Sequence, residues 1–138
     1  KKKGSNMYAL RVKAAVLGLS AALVLGACTT KPIYSVTDAP VATNSGKAAQ
    51  ASQVRAAIVN AGTSLGWQML ETQPGVIQGT LNLRTHTAVV EIPYSSTKYS
   101  ITFKSGINLD AKDGQIHKNY NGWVQNLDNK IRSEISRL

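Results

Sequence analysis

The spacing of hydrophobic positions changes twice along this chain. Between Lys47 and Leu65, the residues Val54, Ile58, Ala61 and Leu65 recur at steps of four, three and four, which is one face of a helix. Alanines between them add helix propensity, and Gly62 and Gly66 stand where such a helix can stop. From Trp67 the step falls to two. Trp67–Thr72 is a short strand and Gln73-Pro74-Gly75 a turn, since proline presets φ and glycine accepts a positive one. Val76–Arg84 then sets Ile77, Gly79, Leu81 and Leu83 against Gln78, Thr80, Asn82 and Arg84. Thr87–Tyr94 sets Ala88, Val90, Ile92 and Tyr94 against Thr87, Val89, Glu91 and Pro93, and Pro93 marks an end or a bulge. Ser95–Lys98 is a hairpin loop, and Tyr99–Lys104 sets Tyr99, Ile101 and Phe103 against Ser100, Thr102 and Lys104. Past the Asp113-Gly114 turn the helical step returns. Tyr120, Trp123, Val124, Leu127, Ile131, Ile135 and Leu138 form a stripe over a helix from about Asn119 to Leu138, with Gln125, Asp128, Asn129, Arg132, Ser133 and Ser136 facing out.

Strands with one apolar and one polar face belong to an antiparallel sheet that is packed on one side and wet on the other. Two amphipathic helices beside such a sheet bury their apolar stripes only against it and each other. The expected fold is therefore α+β, a two-layer α-β-β-β-β-α domain over residues 48–138, with a meandering antiparallel sheet and both helices on one face. About 90 residues suffice for a modest core. Residues 29–47, TTKPIYSVTDAPVATNSGK, show neither period and read as a flexible tether, with an edge strand around Pro32–Val36 as the alternative.

The first 28 residues have another logic. Lys1, Lys2, Lys3, Arg11 and Lys13 form a cationic stretch without an acid, and Ala14–Ala27 is an apolar run of 14 residues. That is short of the roughly 20 needed to cross a bilayer and fits the apolar segment of a secretory signal. The run closes on Leu25-Gly26-Ala27-Cys28. This resembles the lipobox of bacterial lipoproteins, an aliphatic residue and two small ones before a cysteine. The resemblance implies a signal peptide over 1–27 that is removed, an acylated Cys28 as the first mature residue, and a tether over 28–47. It further implies a membrane held through covalent lipid. Thr29 stands where an aspartate would retain an enteric lipoprotein at the inner membrane, which points to the periplasmic face of the outer membrane. The stretch Ile116–Leu127, IHKNYNGWVQNL, with Asn108-Leu109 before it, resembles segments of small proteobacterial lipoproteins and implies no activity.

Composition fits this reading. The chain has 138 residues, 43% hydrophobic and 17% charged, which is globular in character. Its one cysteine excludes a disulfide framework and a cysteine zinc site. The net charge of +9 shrinks to +4 once the five basic residues of the signal are set aside, an ordinary value that does not call for nucleic acid.

Chemistry-bearing residues are few. His86 and His117 are the two imidazoles; His117 precedes the last helix, where capping is the simpler role, and no metal-ligand spacing accompanies either. Glu71 and Glu91 lie on strands and are the carboxylates that a glycan-cleaving pair would use. Trp67, Tyr120 and Trp123 fit a helix–sheet core, or alternatively a sugar-stacking platform. No cofactor is implied. The remaining candidate is the polar face of the sheet, Gln78, Thr80, Asn82, Arg84, Thr102 and Lys104 with Thr87 and Ser100, rich in hydroxyls and amides. These residues read as a solvated surface or, in the sharper reading, as a docking face for another envelope protein or for peptidoglycan. The expected function is a non-catalytic, lipid-anchored binding or assembly module of the cell envelope. The alternatives are a cell-wall hydrolase or its accessory, and a module that uses its positive charge on membrane head groups.

Overall fold

In the computed structural model, which describes residues 29–138, the alternating segments become an antiparallel sheet. The signal-like segment and Cys28 lie outside the described residues. The elements run β1 (Thr30–Pro32), β2 (Val36–Pro40), α1 (Ala51–Ser64), β3 (Gln68–Gln73), β4 (Val76–Leu83), β5 (His86–Pro93), β6 (Lys98–Ile107), β7 (Gln115–His117) and α2 (Lys118–Ser136). The four expected strands are present as the meander β3-β4-β5-β6, and β2 adds a fifth strand beyond β6. β1 and β7 pair separately as a two-stranded ribbon.

One face of the sheet is dry. Ile77, Leu81, Ala88, Val90, Ile92, Tyr99 and Ile101 are buried with Val54, Ile58 and Ala61 of α1 and with Tyr120, Val124, Leu127, Ile131 and Ile135 of α2. These are the positions that the two periods select. Gly79 interrupts the apolar file of β4 because Trp67 and Met69 lie over it, and a Cβ there would meet Val90 Cγ2 at 3.1 Å and Trp67 Cε3 at 3.3 Å.

The expected tether is part of the fold, which corrects the reading of 29–47 as a linker. Thr30, Lys31 and Pro32 pair with His117, Ile116 and Gln115, while Val36 and Ala39 pair with Ile101 and Tyr99 and enter the core. A bulge between Val36 and Ala39, with Asp38 at a φ of 49°, turns both side chains inward although they are three apart. That spacing breaks the period of two and so hides the strand. Pro32 and Pro40 end their strands at edges, where a missing N–H costs little.

A single side chain ties this segment to α2. Asn121 Nδ2 donates to Pro32 O at 2.9 Å, and Asn121 Oδ1 accepts from Tyr34 N at 3.0 Å. Asn121→Ala removes both bonds, each contributing about 1 kcal/mol. We expect faster amide exchange at Lys31, Ile33 and Tyr34 with little change at α1, measured by hydrogen exchange. Unchanged exchange at these amides would show that strand pairing alone holds the segment.

The second correction concerns Asp128. Helical spacing places it among outward residues of α2, yet it is 6% exposed. It accepts from Tyr99 Oη at 2.5 Å and from Arg132 Nε at 2.9 Å, and so joins α2 to β6. Burial and this carboxylate both push the Tyr99 phenol pKa well above its ordinary value.

Candidate functional site

The wet face of the sheet assembles from rows that cross the strands. Gln78, Glu91 and Thr102 stand opposite one another on β4, β5 and β6; Thr80, Val89 and Ser105 form the next row, and Asn82, Thr87 and Ile107 the third. β6 shifts register between its pairings to Val89 and Val90, which leaves Lys104 as the extra residue of a bulge. Its ammonium then reaches Gln78 Oε1 at 3.1 Å and Glu91 Oε1 at 3.5 Å. Thr87 Oγ1 donates to Asn82 Oδ1 at 2.8 Å, and Ser100 Oγ accepts from the Asp38 amide at 2.9 Å. The face carries amides and hydroxyls with Val89 and Ile107 among them, and its Lys98 and Lys104 are answered by Asp38 and Glu91. It offers hydrogen bonds and little net charge.

Five of the six candidate residues, Gln78, Thr80, Asn82, Thr102 and Lys104, share this surface. Arg84 does not continue its file. It occupies the two-residue turn between Leu83 and His86, with a φ of 56° that a two-residue hairpin demands and an arginine adopts at some cost. The structure adds Leu70 of β3, opposite Gln78 and 64% exposed, which the alternation of so short a strand did not single out.

The two strand carboxylates are separated by the sheet itself. Glu71 stands opposite the buried Ile77 on the helix side, and Glu91 stands opposite Gln78 on the wet side. They do not face each other across a cleft, so they are not placed as the glycan-cleaving pair named from the sequence would be. Glu71 is instead a structural hub. It pairs with Arg55 of α1, accepts from Tyr94 Oη at 3.0 Å and from the Gly75 amide at 3.4 Å. The bond from Arg55, then that from Tyr94, holds its carboxyl below the usual range.

The histidines meet at the other end of the hairpin. The His86 and His117 rings are 5.0 Å apart, and His86 lies 6.0 Å from Trp123. His86 Nδ1 donates to Asn108 O at 2.7 Å, while His117 caps α2 by accepting from the Asn119 amide at 3.3 Å. Capping is the role its sequence position suggests. No group of three or more metal-binding side chains occurs among the described residues. Tyr120 is fully buried in the core, while the buried Trp67 and the half-buried Trp123 both line a cleft of about 140 Å³ with Leu65, Leu81, Leu83 and Asn126. The three aromatics therefore do not make a common platform.

No described helix is long and apolar enough to cross a membrane. Comparison with protein-family models, with curated proteins and with solved structures finds no match to this chain.

Proposed function

We propose that the chain is a lipid-anchored protein of the bacterial cell envelope, held through Cys28 at the periplasmic face of the outer membrane. There it works by contact with another envelope component and not by catalysis. The observation that carries this reading is the lone cysteine at the end of Leu25-Gly26-Ala27-Cys28, behind a cationic stretch and an apolar run. The wet sheet face supports the contact role. Its amides and hydroxyls suit hydrogen bonding to a protein or a glycan, and its paired Lys104 and Glu91 leave it near neutral.

Cys28→Ser tests the anchor. We expect loss of acyl label and failure to reach the outer-membrane fraction, read by metabolic labelling with a fatty-acid analogue and by fractionation. Unchanged labelling and fractionation would end the reading. For the contact role, in-cell cross-linking of the acylated protein should recover a specific partner that Thr80→Arg loses.

A further inference from the structure

We infer that the end of the domain carrying Thr29 is a membrane-docking surface that lies against the anionic phospholipid head groups of the bilayer in which Cys28 is anchored. The inference rests on the proposed acylation of Cys28. Its first ground is the length of free chain. Thr30 is already paired with His117, and Thr29 O accepts from the Lys118 amide at 2.9 Å. Between Cys28 and the first paired residue there is one residue, about 3.5 Å of chain. A domain joined to acylated cysteine by so short a link cannot float above the head groups. Its Thr29 end must meet them.

Charge is the second ground. Among the described residues, Lys31, Lys47, Arg84, Lys112 and Lys118 make no ion pair. Four of these five gather at the Thr29 end. Lys31 stands opposite Ile116, Lys112 is bridged to Gln115, Lys118 holds the Thr29 carbonyl, and Arg84 lies beside His86 and Asn119. Lys47 is at the far end, beside the Ser96-Thr97 loop. Two carboxylates, Asp110 and Asp113, share the Thr29 end and leave it net positive. Lys118 is the first residue of α2, where the helix dipole disfavours a cation. Folding gives no reason for that lysine, and phosphate head groups give one.

The third ground is apolar. Four large hydrophobic residues are exposed among the described residues, and three of them, Leu65, Leu83 and Ile107, are at this end. Leu65 and Leu83 share a cleft with the half-buried Trp123. Aliphatic tips and an indole at the same end as unpaired lysines and an arginine match the boundary between head groups and acyl chains. A soluble protein partner would not require that these residues lie at the end where the anchor enters.

The test uses the full acylated chain, purified from membranes and reconstituted into vesicles of phosphatidylcholine alone or mixed with phosphatidylglycerol. Quenching by brominated lipid reads Trp123, because Trp67 is buried and Trp123→Phe supplies the blank. We expect strong quenching on the anionic vesicles, weaker quenching on the neutral ones, and a loss at high salt. Lys31→Glu/Lys118→Glu should lower the docked-to-undocked ratio about tenfold while the protein stays vesicle-bound through its lipid. The Lys118 change improves the helix N-terminus, so the variant folds. Equal quenching of the parent and the variant would overturn the inference. So would protection of Leu109–Gly114 amides in whole envelope membranes but not on vesicles, which would assign this end to a protein. Intact mass reports separately on the premise. A Cys28 without acyl chains removes the anchor and the docking together, whereas an acylated chain with an unquenched Trp123 removes only the docking.

Discussion

Asp128→Ala lowers the stability of the domain by about 3 kcal/mol, one of the two largest effects we expect from this fold. The residue is buried in α2 and receives the Tyr99 hydroxyl from β6, which is itself 1% exposed. Truncation leaves that hydroxyl in a dry environment with no acceptor, and an unsatisfied buried donor costs about 1–3 kcal/mol. A lost hydrogen bond to a charged group adds to this. The Arg132 half of the cluster contributes less, because the guanidinium side chain is 48% exposed and well solvated.

A mutant cycle separates the two halves. Asp128→Asn keeps an acceptor for Tyr99 and should cost about 1 kcal/mol. Tyr99→Phe/Asp128→Leu removes donor and acceptor together and fills the space with apolar atoms. It should be less destabilised than the sum of its single changes by about 1–2 kcal/mol. Urea unfolding measures each as a shift in midpoint at constant slope. If Asp128→Ala and Asp128→Asn unfold at the same midpoint, water has replaced the carboxylate and the argument fails.

Asp128 also shows where the sequence was opaque. Periodicity reads side chains by polarity, so it assigned an aspartate to the outer face of α2. The partner that draws it inward, Tyr99, was itself read correctly as a core residue. Nothing in local spacing joins residues 29 positions apart through a hydroxyl. The meander β3 to β6 and both helices were legible because each carries its own period over six or more residues. β1 and β7 have three residues each, too few for any period, and exist because they pair with one another. β2 is longer, but its bulge places the inward residues three apart.

The candidate site divides in the same way. Alternation found the face of Gln78, Thr80, Asn82, Thr102 and Lys104, since faces follow from the period. It misplaced Arg84 because a two-residue turn looks like one more step of the strand. It also could not show that the Thr29 end gathers lysines from β1, the turn before β7 and α2, which are distant in sequence and adjacent in space. Reading 29–47 as a tether left Thr30 free, whereas its pairing with His117 leaves one residue between Cys28 and the fold, which is the ground of the docking we infer.

Alkaline solution should unfold this domain steeply, and the second large effect is this loss. Tyr99 and Tyr120 are buried, and burial pushes both phenols well above the pKa of free tyrosine, near 10. Below pH 10 both states hold these protons, and stability is unaffected by them. Above it the unfolded chain releases them while the folded one keeps them, so the unfolded state binds fewer protons and stability falls as pH rises. Each phenol costs about 1.4 kcal/mol per pH unit, and the pair about 2.7. Lysine deprotonation also weakens surface ion pairs in this range, so the parent protein alone does not isolate the phenols. Tyr120→Phe does. The Tyr120 hydroxyl is buried without a hydrogen-bond partner among the described residues, so its removal breaks no bond and desolvates nothing. We expect Tyr120→Phe to be as stable as the parent at pH 7, or more so. Above pH 10 its stability should decline less steeply by about 1.4 kcal/mol per pH unit. Urea titrations at several pH values measure the slope, and tyrosinate absorbance should appear together with unfolding and not before it. A Tyr120→Phe variant that declines as fast as the parent would show that this hydroxyl ionises inside the fold, which its dry contact with the Phe103 ring, at 5.4 Å between centroids, argues against.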